Sequence, residues 1–437
     1  MVDSSIRKMD CIEKDMISEL SCPLQETILG FLPIRDAVRS SALSRKWRHK
    51  WTMIPHLIFD DQFFDSKRKN LRQYQDKKLR AHGFVSVINK VLLLHQGPIL
   101  EFSLTNLEGC DTKIVHDYIS QWLPLLSRNG IKKFNLKNCH FDNIAAYGFS
   151  SLDLTQLRLD GVLFSTSPSF RSFTCLRSLE LVDCINNKPS IFVCPVLGEL
   201  VLIYCEGLLP NNFRAPNLKR LKQAICKLPL EYSLAGLPNL KEFSCTALTI
   251  PMINAKAFSG VNFLDSLHTI EKLSLKFTFV KYLVAGGCPV KLSKLMPHLK
   301  ILLLSGMELI HLSDITCLLC LMQSAPNLKK LHISAMEIND AVEGNLRNYL
   351  AKKFVDCTFE HLEIVTCTWL RGLRDELELV KFLLANSPLL KKMFIHHCVT
   401  VRTDVALNIA EEMLQYARAS SEAQIRFLKD DLNIEYF

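Results

Sequence analysis

A chain of 437 residues with 48% hydrophobic and 22% charged residues has the balance of a folded protein of more than one domain, not of a disordered one. No apolar run reaches the ~18–20 residues that a membrane helix needs. The opening MVDSSIRKMDCIEKD lacks the apolar centre of a secretory signal, so a nuclear or cytoplasmic protein without a membrane partner is expected. The formal charge is +9, and residues 1–98 carry 17 Lys/Arg against 11 Asp/Glu, so +6 of it lies at the N-terminal end.

Residues 15–60 hold three short amphipathic segments. Leu24, Ile28 and Leu32 recur at i, i+4, i+8 and form one stripe of a first helix. Pro33 ends that stripe, and Asp36 is placed to cap a second helix carrying Val38 and Ala42. Ser44 can cap a third, on which Trp47 and Trp51 share a face. So short a stretch cannot bury two tryptophans and this many Leu and Ile by itself, so part of the surface is expected to meet another protein.

These residues resemble an F-box. The second Leu-Pro pair (Leu32, Pro33), the acidic residue and alanine after it, and the LSRKWRHKW element are intact. The first pair is altered: Ser21 follows Leu20, and the proline arrives at Pro23. Lys50 stands where an apolar residue is common. The resemblance implies docking on the Skp-type adaptor of a cullin–RING ubiquitin ligase. It places Leu20, Pro23, Leu24, Ile28, Leu32, Pro33, Leu43, Trp47 and Trp51 on the adaptor-binding surface or in its immediate support.

The next stretch, residues 61–95, contains the basic run KRKNLRQYQDKKLR at 67–80. A nuclear-import signal, a patch for an acidic partner and a solvated linker helix all fit such a run; the helix is the reading carried forward. Basic charge without interleaved aromatics does not point to nucleic acid.

From residue 96 a single pattern recurs: an apolar residue, two others, an apolar, one other, an apolar. It starts at Ile99 (ILEFSL), Ile131, Leu154, Leu176, Leu197, Leu218, Leu240, Ile270, Leu299, Leu328, Phe359 (FEHLEI) and Leu390, in steps of 21 to 32 residues. Self-similarity at this period marks a degenerate leucine-rich repeat stacked into a solenoid. Each repeat then supplies a strand whose alternate residues point inward, with the others facing outward on a concave sheet. Proline just upstream of several strands (Pro216, Pro238, Pro326) sets a turn without interrupting the ladder. The longer steps have room for a convex helix, such as one over HLSDITCLLCLMQSAP capped by Ser313 with Ile315, Leu318, Leu319 and Met322 inward. The shorter steps predict irregular structure there.

Cysteine fits the same frame. Three places after the last strand residue the repeat wants a small residue whose polar group meets the turn backbone. Cys139, Cys184, Cys205, Cys226, Cys367 and Cys398 fall on that position, so six of the 16 cysteines are accounted for by packing. His396-His397-Cys398 and Cys317-x-x-Cys320 lack the second pair that zinc spacing requires. No phosphate-binding glycine loop, HExxH or GxSxG is present, and Gly286-Gly287 reads as a turn. The chain is therefore read as non-catalytic, with no cofactor and no metal.

Residues 359–395 contain FEHLEIVTC, the basic WLRGLRD and ELELVKFLLANSPLLKKMFI. They resemble the FBD domain that follows an F-box and leucine-rich repeats in many plant proteins. By pattern, both strands obey the repeat and Glu376–Asn386 forms the helix between them, with Leu379, Val380, Leu383 and Leu384 inward. ALNIAEEMLQYARASS adds a final amphipathic helix that can cap the open apolar end.

The expected architecture is α/β: a three-helix F-box (13–60), a basic linker or first helical cap (61–95), a leucine-rich-repeat solenoid (96–354) with a curved parallel sheet, and an FBD region with C-terminal cap (355–437). The organisation resembles the plant F-box/FBD/LRR-repeat family. That resemblance implies a substrate-recognition subunit of a Skp–cullin–F-box ubiquitin ligase with an unnamed target protein on the concave face. Outward strand positions (Arg158, Glu180, Val201, Lys222, Ser244, Ser274, Leu303, His332, Glu363) are candidates for that contact. Val182, Val201 and Ile203 make one apolar spot there, and Ile301 with Leu303 another. Two alternatives stay open: a ligand-dependent sensor using the same face, and an adaptor-binding scaffold without ligase activity.

Overall fold

The computed structural model describes residues 17–60, 76–105, 110–137, 153–164, 172–186, 191–227, 236–249, 266–284, 291–336, 346–398 and 400–428, with Phe63, Leu234, Phe263 and Leu264 between them. Cys139, Gly286-Gly287, most of the basic run at 67–80 and the side chain of Cys226 lie outside the described residues. The chain divides into two compact units, Met1–Gly161 and Val162–Phe437.

The first unit opens with α1 (Cys22–Gly30) and α2 (Ile34–Ser40). Pro23 sits in the first turn of α1, where a missing N–H is tolerated, so the altered Leu-Pro pair still starts a helix. Pro33, not Asp36, precedes α2; Asp36 lies in its first turn and pairs with Arg39 at 3.3 Å. The third segment is not an α-helix. Residues 45–49 are turns and Lys50–Met53 is a single 3-10 turn, because this segment is anchored by its tryptophans and not by a continuous apolar face.

The parallel ladder of this unit begins earlier than the pattern suggested. β1 (His56–Phe59) pairs with β2 (Glu101–Thr105), matching Leu57 to Phe102 and Phe59 to Leu104. Ile54, Leu57 and Phe59 thus obey the repeat spacing inside the stretch read as the end of the F-box. β3 (Lys133–Lys137) and β4 (Gln156–Asp160) continue the ladder. Helices α3 (Lys77–Leu94) and α4 (Thr112–Arg128) pack on each other, and Trp122 Nε1 donates to Asn89 Oδ1 at 2.7 Å. Phe102 joins the layers, lying 5.6 Å from Phe59, 5.6 Å from Phe134 and 5.8 Å from Trp122.

In the second unit the ladder runs β6 (Ser178–Val182), β9 (Glu199–Ile203), β11 (Arg220–Lys227), β12 (Glu242–Thr249), β13 (Lys272–Lys276), β14 (Ile301–Met307), β15 (Lys330–Ala335), β16 (Ile364–Leu370), β17 (Lys392–His397) and β18 (Gln424–Phe427). Every pairing given for it is parallel. The short repeats return through the two-residue strand pairs β5 (Leu163–Phe164) with β7 (Ile185–Asn186) and β8 (Phe192–Val193) with β10 (Phe213–Arg214), plus one 3-10 turn at Pro210–Asn212. The long ones return through α5 (Phe277–Val284), α6 (Leu312–Gln323), α7 (Leu346–Lys353), α8 (Arg374–Ala385) and α9 (Thr403–Leu414). His311, not Ser313, stands at the α6 cap, and α6 is buried from Asp314 to Met322, including Cys317 and Cys320.

Three details explain the repeat. The residue after the upstream proline is a clamp: the Nδ2 groups of Asn217, Asn239 and Asn327 donate to the carbonyls of Pro195, Pro216 and Pro297 one repeat earlier, at 2.7–2.8 Å. The cysteine position behaves as expected at Cys184 and Cys205, whose thiols donate to Val182 O and Leu181 O at 3.3 Å. Strands are closed by left-handed residues two places past the second inward one: Asp183 (φ 50), Tyr204 (φ 55), Gly306 (φ 72) and Trp369 (φ 64).

One frame needs correction. β16 aligns Leu331 with Val365 and Ile333 with Cys367, so its repeat reads Leu362, Val365, Cys367 and not FEHLEI from Phe359. Cys367 is therefore an inward strand residue, and Thr366, not Glu363, faces outward beside His332. The misleading match arose because Phe359, Leu362 and Ile364 are themselves apolar at the same spacing.

The FBD stretch takes its shape from Glu376. Its Oε2 accepts the backbone N–H groups of Arg371, Gly372 and Leu373 at 2.8, 2.9 and 3.1 Å. Burial pushes the Glu376 carboxyl above its ordinary range, and these three donors pull it back. Gly372 has φ 80, and a Cβ there would run into Ile409 of α9. Leu379, Val380, Leu383 and Leu384 are inward on α8, as their periodicity required.

Candidate functional site

Two surfaces collect the candidate residues. The first is apolar. On α1 the inward residues are Leu29 and Gln25, whose Nε2 donates to Ile17 O and Ser18 O at 3.2 Å. That turns the Leu24/Ile28 stripe to solvent, with Leu24 52%, Ile28 41% and Leu32 40% exposed. Leu43 is 76% exposed, Pro23 and Pro33 are exposed, and Leu20 is half-buried. Phe31, at 84%, is the most exposed large apolar residue of the stretch. It went unnoticed in the pattern because it follows Gly30 and lies off the i, i+4 stripe; an aromatic residue at the helix end was the available signal.

Trp47 and Trp51 do the opposite. Both are buried, and Trp47 Nε1 donates to Ser18 Oγ at 2.8 Å. Their side chains lie inside the fold and not on its surface. Lys50 also has a local role, because its Nζ reaches Cys22 Sγ at 2.9 Å and ties the third segment to the start of α1.

The second surface is the face of the sheet opposite the core. In the first unit Arg158 lies in register with Asn135 and Ser103. In the second unit one row runs Glu180, Val201, Lys222, Ser244, Ser274, Leu303, His332, Thr366 and Phe394. Val182 aligns with Ile203, so Val182, Val201 and Ile203 are neighbours on this face and half-buried, as are Ile301 and Leu303. Glu180, Glu199, Arg220, Lys222, Glu242 and Lys272 line a hollow of ≈ 320 Å³. Burial lowers the Lys222 ammonium below the ordinary lysine range, opposed by Glu180 and assisted by Lys276. Burial likewise lowers His332.

Other candidate chemistry disperses. His396 stacks edge-on against Trp369 at 5.8 Å, His397 lies flat on Phe427 at 6.0 Å, and Cys398 Sγ meets Thr400 Oγ1 at 3.1 Å. Among the described residues no group of three or more His, Cys, Asp or Glu could hold a metal ion, and no helix is long and apolar enough to cross a membrane.

Comparison with known proteins agrees with this layout. The model for the F-box domain matches residues 17–59, and the FBD model matches residues 353–395. The model described as "FBD-associated F-box protein At5g56370, LRR repeats" matches residues 119–333. The Arabidopsis thaliana F-box/FBD/LRR-repeat protein At1g13570 is 33% identical over 430 residues, covering 95% of this chain and 99% of the relative. The F-box/FBD/LRR-repeat proteins At2g04230 and At3g26920 of the same plant are 28% and 26% identical, over 88% and 95% of this chain and 89% and 96% of their own lengths. With all three modules matched in turn and this identity along nearly its whole length, the chain belongs to the F-box/FBD/LRR-repeat proteins.

Proposed function

We propose that this protein is the non-catalytic substrate-recognition subunit of a Skp–cullin–F-box ubiquitin ligase. The observation that carries this reading is the exposure of Leu24, Ile28, Phe31, Leu32 and Leu43 around a small fold whose tryptophans are inside. A contiguous exposed apolar patch of that kind marks a partner-binding surface, and the F-box match supports a Skp-type adaptor as that partner. The outer face of the repeat sheet then receives the target protein. The chain acts by tethering: it raises the effective concentration of target lysines near ubiquitin carried by another subunit.

The test is co-expression with a Skp-type adaptor followed by pull-down and ubiquitination with reconstituted cullin–RING components. Stoichiometric capture by the intact chain, lost in Leu32→Ala/Leu43→Ala, supports the receptor reading. Capture without cullin recruitment would make the protein a scaffold, and no capture by a folded chain would remove the ligase role. As for a ligand-dependent sensor, the hollow sets Arg220, Lys222 and Lys272 against Glu180, Glu199 and Glu242, and so carries no net charge to hold a polyanionic ligand.

A further inference from the structure

Five neighbouring strands of the second unit bring Lys272, Ile301, Lys330, Ile364 and Lys392 into one register row. The residues that follow them (Leu273, Leu302, Leu331, Val365, Met393) are at most 1% exposed. Strand alternation therefore turns the row to the face away from the core, where Lys330 is exposed and the other four are half-buried. The result is lysine and isoleucine alternating across the sheet, one residue per strand.

The electrostatics of this region are one-sided. Strands β13 to β18 contain no Asp or Glu, whereas β6 to β12 present Glu180, Glu199 and Glu242 beside Arg220 and Lys222; Glu242 is in register with Lys272, so the excess of positive charge is greatest at Lys330 and Lys392. The two carboxylates just ahead of the row are already committed. Glu271 bridges Lys241 and Lys300 at 2.7 and 3.3 Å, and Glu363 bridges Lys391 and Lys329 at 2.7 and 3.4 Å. An incoming partner with negative charge and aliphatic side chains complements such a row.

Spacing selects the form of that partner. Adjacent strands lie ~4.8 Å apart, so contacts are offered at that interval. Same-face residues of an extended chain recur every ~6.7 Å, a poor match. Positions on one side of an α-helix recur every 3.5 residues or so, about 5.3 Å, and seven residues span about 10.5 Å against ~9.6 Å from one lysine to the next.

Resting on the reading that this face receives the ligase target, we propose that the row docks an acidic amphipathic helix of that target. Asp or Glu at i, i+7 and i+14 meets Lys272, Lys330 and Lys392, and Leu or Ile at i+3 or i+4 and i+10 or i+11 settles on Ile301 and Ile364. The full row needs a helix of about 15 residues, ~21 Å long.

The test uses the full chain and a labelled helical peptide with Glu at its positions 1, 8 and 15 and Leu at 4 and 11 in an Ala/Gln background, read by fluorescence anisotropy. Binding should weaken as salt rises. Lys330→Glu or Lys392→Glu should weaken it by about tenfold, with thermal unfolding unchanged. A peptide of the same composition with the stripe scrambled, one with Lys for Glu, and one broken by proline should all bind far more weakly. No binding overturns the proposal, as does equal binding of the scrambled or proline-broken peptide. Tighter binding of single-stranded RNA of matching charge overturns it too. Adaptor capture scored on the same preparation separates the outcomes: its loss speaks against the receptor reading, while peptide binding decides the row alone.

Discussion

Replacing Phe31 with alanine separates the proposed adaptor surface from the residues packed beneath it. The residue is 84% exposed, so the folded chain gains little from it. Burying a phenylalanine side chain is worth about 1.5–3 kcal/mol. The part still in contact with solvent, scaled by that exposure, therefore accounts for about 1.3–2.5 kcal/mol of binding when a partner covers it. That corresponds to an increase of about 10- to 70-fold in the Kd for the adaptor. Calorimetry of purified F-box protein with adaptor measures the affinity, and circular dichroism melting measures stability. The expected pattern is a weakened complex with a Tm unchanged within about a degree or two. A Kd within twofold of wild type would refute the reasoning, because the most exposed apolar residue of the stretch would then lie outside the interface.

Trp47→Phe should show the converse, losing about 1 kcal/mol of stability through the broken bond to Ser18 Oγ; denaturant unfolding reads it, and an unchanged midpoint would contradict the support role. Tyr204 holds φ 55 while 44% exposed, so Tyr204→Gly should leave stability unchanged or raise it by up to about 1 kcal/mol. A drop beyond that size would show that the tyrosine ring is structural. Glu271 and Glu363 have carboxyls lowered first by their hydrogen bonds to Lys241 and Lys391, respectively. A lowered folded pKa stabilises above the unfolded carboxylate value and is lost as pH falls through the folded one. Melts of Glu271→Gln/Glu363→Gln should therefore fall below wild type near neutrality and converge with it under acid; a difference that persists in acid would rule out this titration as its source.

Much of the architecture was legible from local chemistry. The repeat spacing works because a parallel strand must bury every second residue, so Leu179 with Leu181 and Leu302 with Leu304 could be assigned inward before any pairing was known. The α8 stripe followed from helical periodicity in the same way. The candidate adaptor surface was half legible. Leu24 and Ile28 sit on a visible stripe, but whether a stripe faces in or out depends on which side other segments cover. Here Gln25, held by Ile17 O and Ser18 O, turns the other side inward. The pattern left open whether Trp47 and Trp51 lie on that surface or behind it, and the fold packs both inside.

By itself, then, the sequence determined most of the repeated strands and their inward residues, the helical returns of the long repeats and the family. These depend on apolar spacing within a few residues, where the backbone geometry is known in advance. Only the tertiary structure decided the frame of β16, the early start of the ladder at His56 and the outward row of Lys272, Ile301, Lys330, Ile364 and Lys392. Those residues lie about thirty positions apart along the chain. Their adjacency exists only through inter-strand hydrogen bonding, and no local pattern encodes which residue a neighbouring strand will place beside another.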